Sequence, residues 1–369
     1  MPTDPPLLLT PGPVTTTGRV RAALTRGDLC HREPEFATLL AALRADLVSA
    51  FGIADTHEAV LLTGSGTAAM ESALTSLVRP GRAALVVNNG VYGQRLVTIA
   101  RSYGIPAHEV RSGWTVPADP TEVAAALRRH PDVDLVCCVQ HETTTGLLNP
   151  VAAIGAAVAG DDACYLVDAI SALGAEPPPP AEVGADVFCG TANKALHGQP
   201  GVSFLLLSAA ARRRVAEVPA RGLYLAVATH LDQQRAGTVP FTPAVPACYA
   251  LAEALAEFAE EGGFPARSAT YRQRAGDLRA GLAPLGLAPL VAPAHRAASV
   301  TAFPVPAGIR YPDLHDELKR RGFVVYAGQG PLAGGVFRVA VMGALPAGAI
   351  GEFTATAADV LAALRAAAR

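Results

Sequence analysis

Lysine is scarce in this chain: only Lys194 and Lys319 occur among its 369 residues, and the remaining Lys+Arg count is arginine. Arginine does not give up its proton at working pH. Chemistry that needs a neutral amine, such as a Schiff base, therefore has two candidates. Net charge is small as well, at −2, which leaves no basic footprint for nucleic acid or for an acidic membrane surface. No uninterrupted apolar run reaches bilayer length. The opening Met1-Pro2-Thr3-Asp4-Pro5-Pro6 lacks the basic and apolar regions of a signal peptide. There is no C-x-x-C pair. The six cysteines fall mostly in apolar runs such as Val136-Cys137-Cys138-Val139 and read as reduced core residues of a cytoplasmic protein. None of the nine histidines sits in an H-E-x-x-H spacing, so no metal centre is expected.

What is present is apolar and regularly patterned. Half of the residues are hydrophobic and only 17% are charged, the balance of a chain with well-buried cores and not of a disordered one. The length suits two domains. Strand-like and helix-like segments alternate: strand 59–63, helix 67–78, strand 83–87, helix 92–103, strand 134–139, helix 151–159, then strands 165–168, 186–189 and 202–207. Such alternation predicts an α/β fold with a largely parallel sheet covered by helices on both faces. A helix over 246–261 precedes a break at Glu261-Gly262-Gly263-Phe264. Helix 266–282, strand 299–303, helix 311–321, strands 323–326 and 336–341 and a final Ala-rich helix follow, which reads as a smaller α+β domain.

The candidate chemistry lies at the strand ends. Lys319 belongs to the charged run Asp313–Arg321, an amphipathic helix, and reads as a solvated side chain. Lys194 follows Val187-Phe188-Cys189 and precedes Gly198, Pro200 and Gly201. That is a strand entering a loop, where functional side chains concentrate. In Thr63-Gly64-Ser65-Gly66-Thr67 a strand enters a glycine turn and a helix opens at once. Free N–H groups at the helix start and the hydroxyls of Ser65 and Thr67 make a phosphate cup in form; an ordinary capped βα turn is the plainer alternative. Asn89-Gly90-Val91-Tyr92-Gly93 offers an aromatic face beside a flexible turn, although Tyr92 alone reads as core packing. His141-Glu142-Thr143-Thr144-Thr145-Gly146 leaves the next strand as a hydroxyl-rich rim, or simply as a Thr-rich turn. Asp168 ends the strand Tyr165–Asp168, where α/β sheets bind ligands; it is either a helix cap or the partner of a buried cation.

Taken together, phosphate cup, stacking aromatic, hydroxyl rim, aspartate and lysine form one ordered series. This is what pyridoxal 5'-phosphate requires: its phosphate is anchored, its ring stacks, an aspartate keeps the pyridine nitrogen protonated and a lysine forms the Schiff base.

With these residues the chain resembles the class V aminotransferases of the fold-type I pyridoxal phosphate group, and within them the 2-aminoethylphosphonate–pyruvate transaminase subfamily. The similar runs are Leu7–Thr16, Asp28–Phe36, Gly64–Thr67, Asn89–Gly93, His141–Pro150, Val167–Ala169, Ala192–Lys194 and Phe337–Val339. The resemblance implies an N-terminal segment (1–15) lining the site, a large cofactor-binding domain (16–260) and a small C-terminal domain (261–369). It implies that Lys194 and Asp168 are catalytic, and that Ser65, Gly66, Thr67, Tyr92 and Thr143 bind the cofactor with them. Thr242 matches a family threonine that reaches the neighbouring subunit's cofactor, so a homodimer with shared sites is expected. Arg338 and Thr15 are expected to bind substrate, Arg338 through its anionic group. The implied partners are small amines and 2-oxo acids, with 2-aminoethylphosphonate and pyruvate giving phosphonoacetaldehyde and alanine. The chain departs from the subfamily pattern in three stretches: Pro240–Pro246 stands for Arg-Phe-Thr-Ser-Pro-Thr-His, so that Pro240, Val245 and Pro246 replace an arginine, a threonine and a histidine; Tyr326–Gln329 stands for Tyr-Pro-Gly-Lys, with Gln329 in place of the lysine; and Phe337–Gly343 stands for Phe-Arg-Ile-Gly-Asn-Ile-Gly. A class V aminotransferase of alanine–glyoxylate or serine–pyruvate type is the neighbouring reading.

Overall fold

A computed structural model describes residues 5–367 of the chain. Its centre is a seven-stranded sheet in the order His57–Thr63, Val202–Ser208, Val187–Thr191, Cys164–Asp168, Val133–Val139, Ala83–Asn88, Ala107–Arg111. Only Val202–Ser208 runs against its neighbours; the pairs from Val187–Thr191 outward to Ala107–Arg111 are parallel. The inner strands are buried at every residue, as strands covered on both faces must be.

Alternate residues of one strand feed two separate cores, because successive side chains point to opposite faces. Val136, Cys138, Val167 and Phe188 pack with Leu40, Leu43 and Leu47 of helix Pro34–Ala50, with Ile154, and with Leu251 and Leu255 of helix Val245–Glu260. Leu135, Cys137, Leu166 and Cys189 face the other way, against Met70, Leu74 and Leu77 of helix Gly66–Leu77 and Leu96 and Val97 of helix Val91–Ser102. Each fully buried aliphatic side chain contributes about 1.5–3 kcal/mol, so two faces lined in this way hold the sheet firmly.

A second unit follows helix Val245–Glu260. Gly262 adopts a left-handed backbone (φ 96°) and turns the chain into helix Gly263–Leu282. That helix packs with Tyr311–Arg320 and Ala349–Ala367 around an antiparallel sheet in the order Val300–Pro304, Val336–Ala340, Tyr326–Ala327. The N-terminal segment joins this unit: Leu7–Leu8 pairs with Phe323–Val324, and Leu9 and Val14 enter its core.

The expected strand 323–326 is in fact two short ladders. Phe323–Val324 pairs with the N-terminal strand, and Tyr326–Ala327 pairs with Val336–Ala340, so the chain changes partner at Val325. Further elements are helices Gly18–Ala23, Pro120–Arg129, Val151–Val158, Ala209–Glu217 and Val227–Arg235 and the short antiparallel ladder of His141–Glu142 with Leu147–Leu148. Five cysteines are buried and free, as their apolar neighbours suggest, whereas Cys30 is exposed. Its neighbours Asp28 and His31 are polar, which its inclusion among core residues overlooked.

Candidate active site

The parallel strands deliver their functional groups to their carboxyl ends. Asp168 is the last residue of Cys164–Asp168 and is nearly inaccessible. One of its oxygens accepts from the Ile170 backbone N–H at 3.0 Å. With so little water or cation to hold its charge, burial pushes its carboxyl up to about 7, and the nearby Glu142 carboxyl pushes the same way. Lys194 arrives on the loop after Val187–Thr191. It keeps part of its surface open, but its amine donates to the Pro11 carbonyl in desolvated surroundings. That burial, with the Arg338 charge next, pulls it down to about 8. A lysine with that value is in part a free base near neutrality, as a nucleophile or proton carrier must be.

Tyr92, His141, Thr143, Asp168, Ile170, Ser171 and Lys194 line a single pocket. Within it the Thr143 hydroxyl and His141 Nε2 are buried and find no hydrogen-bond partner among the described residues. Buried polar atoms are almost always satisfied, so these two call for a polar ligand. Burial pulls the His141 imidazole down, which keeps it neutral.

Glu142 positions Tyr92. One of its oxygens accepts from the Tyr92 backbone N–H at 3.1 Å, at the start of helix Val91–Ser102, and the other accepts from the Thr144 hydroxyl at 2.6 Å. The approach is so close that a Cβ on Gly90 would overlap the Glu142 carboxylate. Gly12 serves Lys194 in the same way. It has a positive φ (124°), and a Cβ there would strike the Lys194 side chain.

Ser65 is the N-cap of helix Gly66–Leu77, yet its hydroxyl makes no capping bond. It therefore remains available beside the free N–H groups of Gly66 and Thr67. The Thr67 hydroxyl accepts from Arg95 at 3.2 Å, and the Arg95 guanidinium lies 4.7 Å from the centre of the Tyr92 ring. Arg95 escaped sequence reasoning. The available signal was its i,i+3 spacing from Tyr92 on one helix face.

Arg338 sits on the middle strand of the C-terminal sheet, 2% exposed. It donates to the carbonyls of Ala327 (2.9 Å) and Thr143 (3.1 Å). Among the described residues neither Arg338 nor Arg95 has a carboxylate within ion-pair distance. Arg338 is held by these carbonyls and by the Tyr326 ring, 5.9 Å from its guanidinium, and a buried cation with no carboxylate partner is costly until an anion arrives.

His197, another residue missed, ties the Lys194 loop to the C-terminal unit. Its N–H donates to the Lys194 carbonyl at 2.9 Å, and its Nε2 accepts from the Gly343 N–H at 3.0 Å and from the Tyr271 hydroxyl. That bonding pattern assigns the ring proton to Nδ1.

Of the expected residues, Tyr92, Thr143, Asp168 and Lys194 line the pocket, whereas Ser65, Gly66, Thr67, Arg338, Thr15 and Thr242 are not in its wall. The Thr15 hydroxyl accepts from the Leu8 N–H at 3.1 Å, and its carbonyl accepts from Ala344, so it fastens the N-terminal segment. Thr242 is exposed beside Tyr224 and Phe241, in a hollow that none of the Lys194 pocket residues line. Lys319 is exposed on its helix.

The geometry fits pyridoxal 5'-phosphate: a buried aspartate awaiting a cation, two unpartnered polar atoms, a free helix start and a desolvated lysine. Comparison with known proteins agrees. The family model "Aminotransferase class-V" matches residues 18–342. Proteins named 2-aminoethylphosphonate–pyruvate transaminase are similar along almost their whole length: one from Syntrophobacter fumaroxidans is 36% identical, covering 93% of this chain and 92% of the relative, and one from Burkholderia mallei is 37% identical, covering 94% of each. Among solved structures, an alanine–glyoxylate aminotransferase from Nostoc sp. superposes with a TM-score of 0.92 at 26% identity, over 98% of this chain and 96% of that one. A pyridoxamine–pyruvate aminotransferase from Mesorhizobium loti gives 0.90 at 27% identity, over 100% and 94%. With family, fold and pocket in agreement, this chain belongs to the class V aminotransferases and is a pyridoxal phosphate-dependent aminotransferase of fold type I.

Proposed function

We propose that this enzyme transfers the amino group of 2-aminoethylphosphonate to pyruvate, giving phosphonoacetaldehyde and alanine. The observation that carries the reading is Arg338, a buried and unpaired guanidinium beside the Lys194 pocket. The 36–37% identity to transaminases of that name supports the choice of donor.

The bound cofactor would supply a carbonyl carbon for the incoming amine and a conjugated ring that takes up the electron pair left when the substrate carbon loses its proton. Asp168 would hold a protonated ring nitrogen, the cation its burial lacks. Ser65, Gly66 and Thr67 would hold the phosphate, Tyr92 would stack on the ring, and Thr143 would bind a ring oxygen. Lys194 Nζ would carry the cofactor covalently at rest. Once displaced by substrate, it would take the proton from the amine-bearing carbon and hand it on, a role worth about 10²–10⁴ in rate. The Arg338 fork would grip the phosphonate or carboxylate through two N–H groups. Thr242 has no place in its own chain's pocket, and we assign it to the site of a second copy in a homodimer. A cytoplasmic location goes with this reading.

One observation favours a different amine. Gln329, with a buried and unpartnered Oε1, stands where the subfamily pattern has a lysine, so fewer cations surround the donor's anion. The test is a half-reaction on the cofactor-loaded protein. Bleaching of its visible band by 2-aminoethylphosphonate, restored by pyruvate, is the expected result. Bleaching by alanine or serine alone would replace the donor and keep the transaminase. Lys194→Ala should retain cofactor but not turn over.

A further inference from the structure

At the opposite end of the sheet the fold gathers three metal-ligating side chains that share no local motif. His108 is on the edge strand Ala107–Arg111, His130 follows helix Pro120–Arg129 as its C-cap, and Asp132 lies just before strand Val133–Val139. His108's strand and Val133–Val139, which Asp132 precedes, belong to the same parallel set as Cys164–Asp168, whose last residue is Asp168. The three residues therefore sit at strand starts, while the Lys194 pocket sits at strand ends.

Their geometry is close to that of a coordination sphere. His108 Nε2 lies 3.2 Å from an Asp132 carboxylate oxygen. Two ligands at about 2.0–2.1 Å from one zinc ion in a tetrahedral arrangement are separated by about 3.3–3.4 Å. The His108 and His130 rings stack with centroids 3.7 Å apart, and one donor atom from each of the three residues lies within 4.8 Å of the others. Stacked rings aim their lone pairs side by side. Rotation about the Cβ–Cγ bond, a broad torsion, turns both toward one ion. The backbones beneath are fixed: Asp132 accepts from the Ala83 N–H at 2.9 Å, and His130 donates to the Ala126 carbonyl at 3.0 Å. All three side chains are half-buried, so solvent reaches the remaining positions.

We propose that His108, His130 and Asp132 form a binding site for a divalent transition ion such as Zn²⁺, separate from the catalytic pocket. Two imidazoles and one carboxylate suit Zn²⁺, Co²⁺ or Ni²⁺, whereas Ca²⁺ and Mg²⁺ take oxygen ligands. The ion would pin the edge strand to the end of helix Pro120–Arg129 and so raise stability without entering turnover. No H-E-x-x-H or similar local pairing marks these residues in the sequence. Here the ligands meet only through strand pairing.

The test is calorimetric titration of the cofactor-loaded enzyme with Zn²⁺ in a non-chelating buffer. One ion per chain is expected, with a higher unfolding temperature when it is bound. His108→Ala and Asp132→Asn should each weaken binding at least about tenfold and leave the transamination rate unchanged, which also certifies that they fold. Where alanine at 108 does not fold, His108→Gln serves. Equal affinity in wild type and variants, as from an ion held at the exposed Cys30 and His31, would overturn the proposal, as would binding only at millimolar Zn²⁺.

Discussion

Replacing Asp168 by asparagine should make the cofactor-free protein more stable at neutral pH while abolishing its chemistry. The buried carboxyl is pushed from 3.8 to about 7. A raised acid value means that the folded state holds the proton more tightly between those limits. Stability is then fully present below pH 4 and falls as pH rises through the window. Three units at about 1.4 kcal/mol each give about 4 kcal/mol in all, of which about 3 kcal/mol falls between pH 5 and 8. Asparagine cannot ionise and can still accept from the Ile170 N–H, so Asp168→Asn should lack this slope. The assay is urea unfolding of wild type and variant, freed of cofactor, at pH 5 and 8 and one protein concentration. The difference between the two proteins should shift by about 3 kcal/mol in the variant's favour at pH 8. Cofactor loading should shrink the gap, because a protonated ring nitrogen supplies the missing cation. Parallel pH profiles would refute the claim that burial leaves this carboxylate uncompensated.

Arg338→Ala should raise the KM for the amino donor far more than it raises that for an uncharged amine, by on the order of 10²-fold if two charge-assisted bonds are lost; equal losses for both amines would remove Arg338 from substrate recognition. Arg95→Ala should weaken cofactor binding, read as the cofactor concentration needed to restore activity, because it takes a cation from beside Thr67. Unchanged affinity would leave Arg95 as a packing residue. Gly90→Ala should displace the Glu142 carboxylate and with it the N-terminal anchor of Tyr92. Reduced turnover with a folded, cofactor-binding protein is expected, and wild-type kinetics would contradict the close approach.

Much of the large unit is legible in the sequence, because period-two burial and helix periodicity are local. Strands such as 134–139 and 165–168 are visible as apolar runs between turns. Helix Pro34–Ala50 also carries its signal, with Phe36, Leu40, Leu43 and Leu47 along one stripe and Pro34 at its start, although motif reading of 28–36 obscured it. The chemistry of Asp168 and Lys194 is equally local: a carboxylate and the one loop lysine, each at a strand end. Less visible are groups whose meaning comes from distant neighbours. Arg95 matters through Thr67, Glu142 through Gly90 and Tyr92, and His197 through Gly343, 146 residues away in sequence.

The α/β class, the family and the residues able to do amine chemistry are legible along the chain, because residue type and spacing suffice for these. Folding in three dimensions sets which polar atoms are left unpaired among the described residues, that Thr15 bonds Leu8 and Ala344, and that His108, His130 and Asp132 meet. Those outcomes depend on desolvation and on strand register, which bring together residues that no local pattern connects.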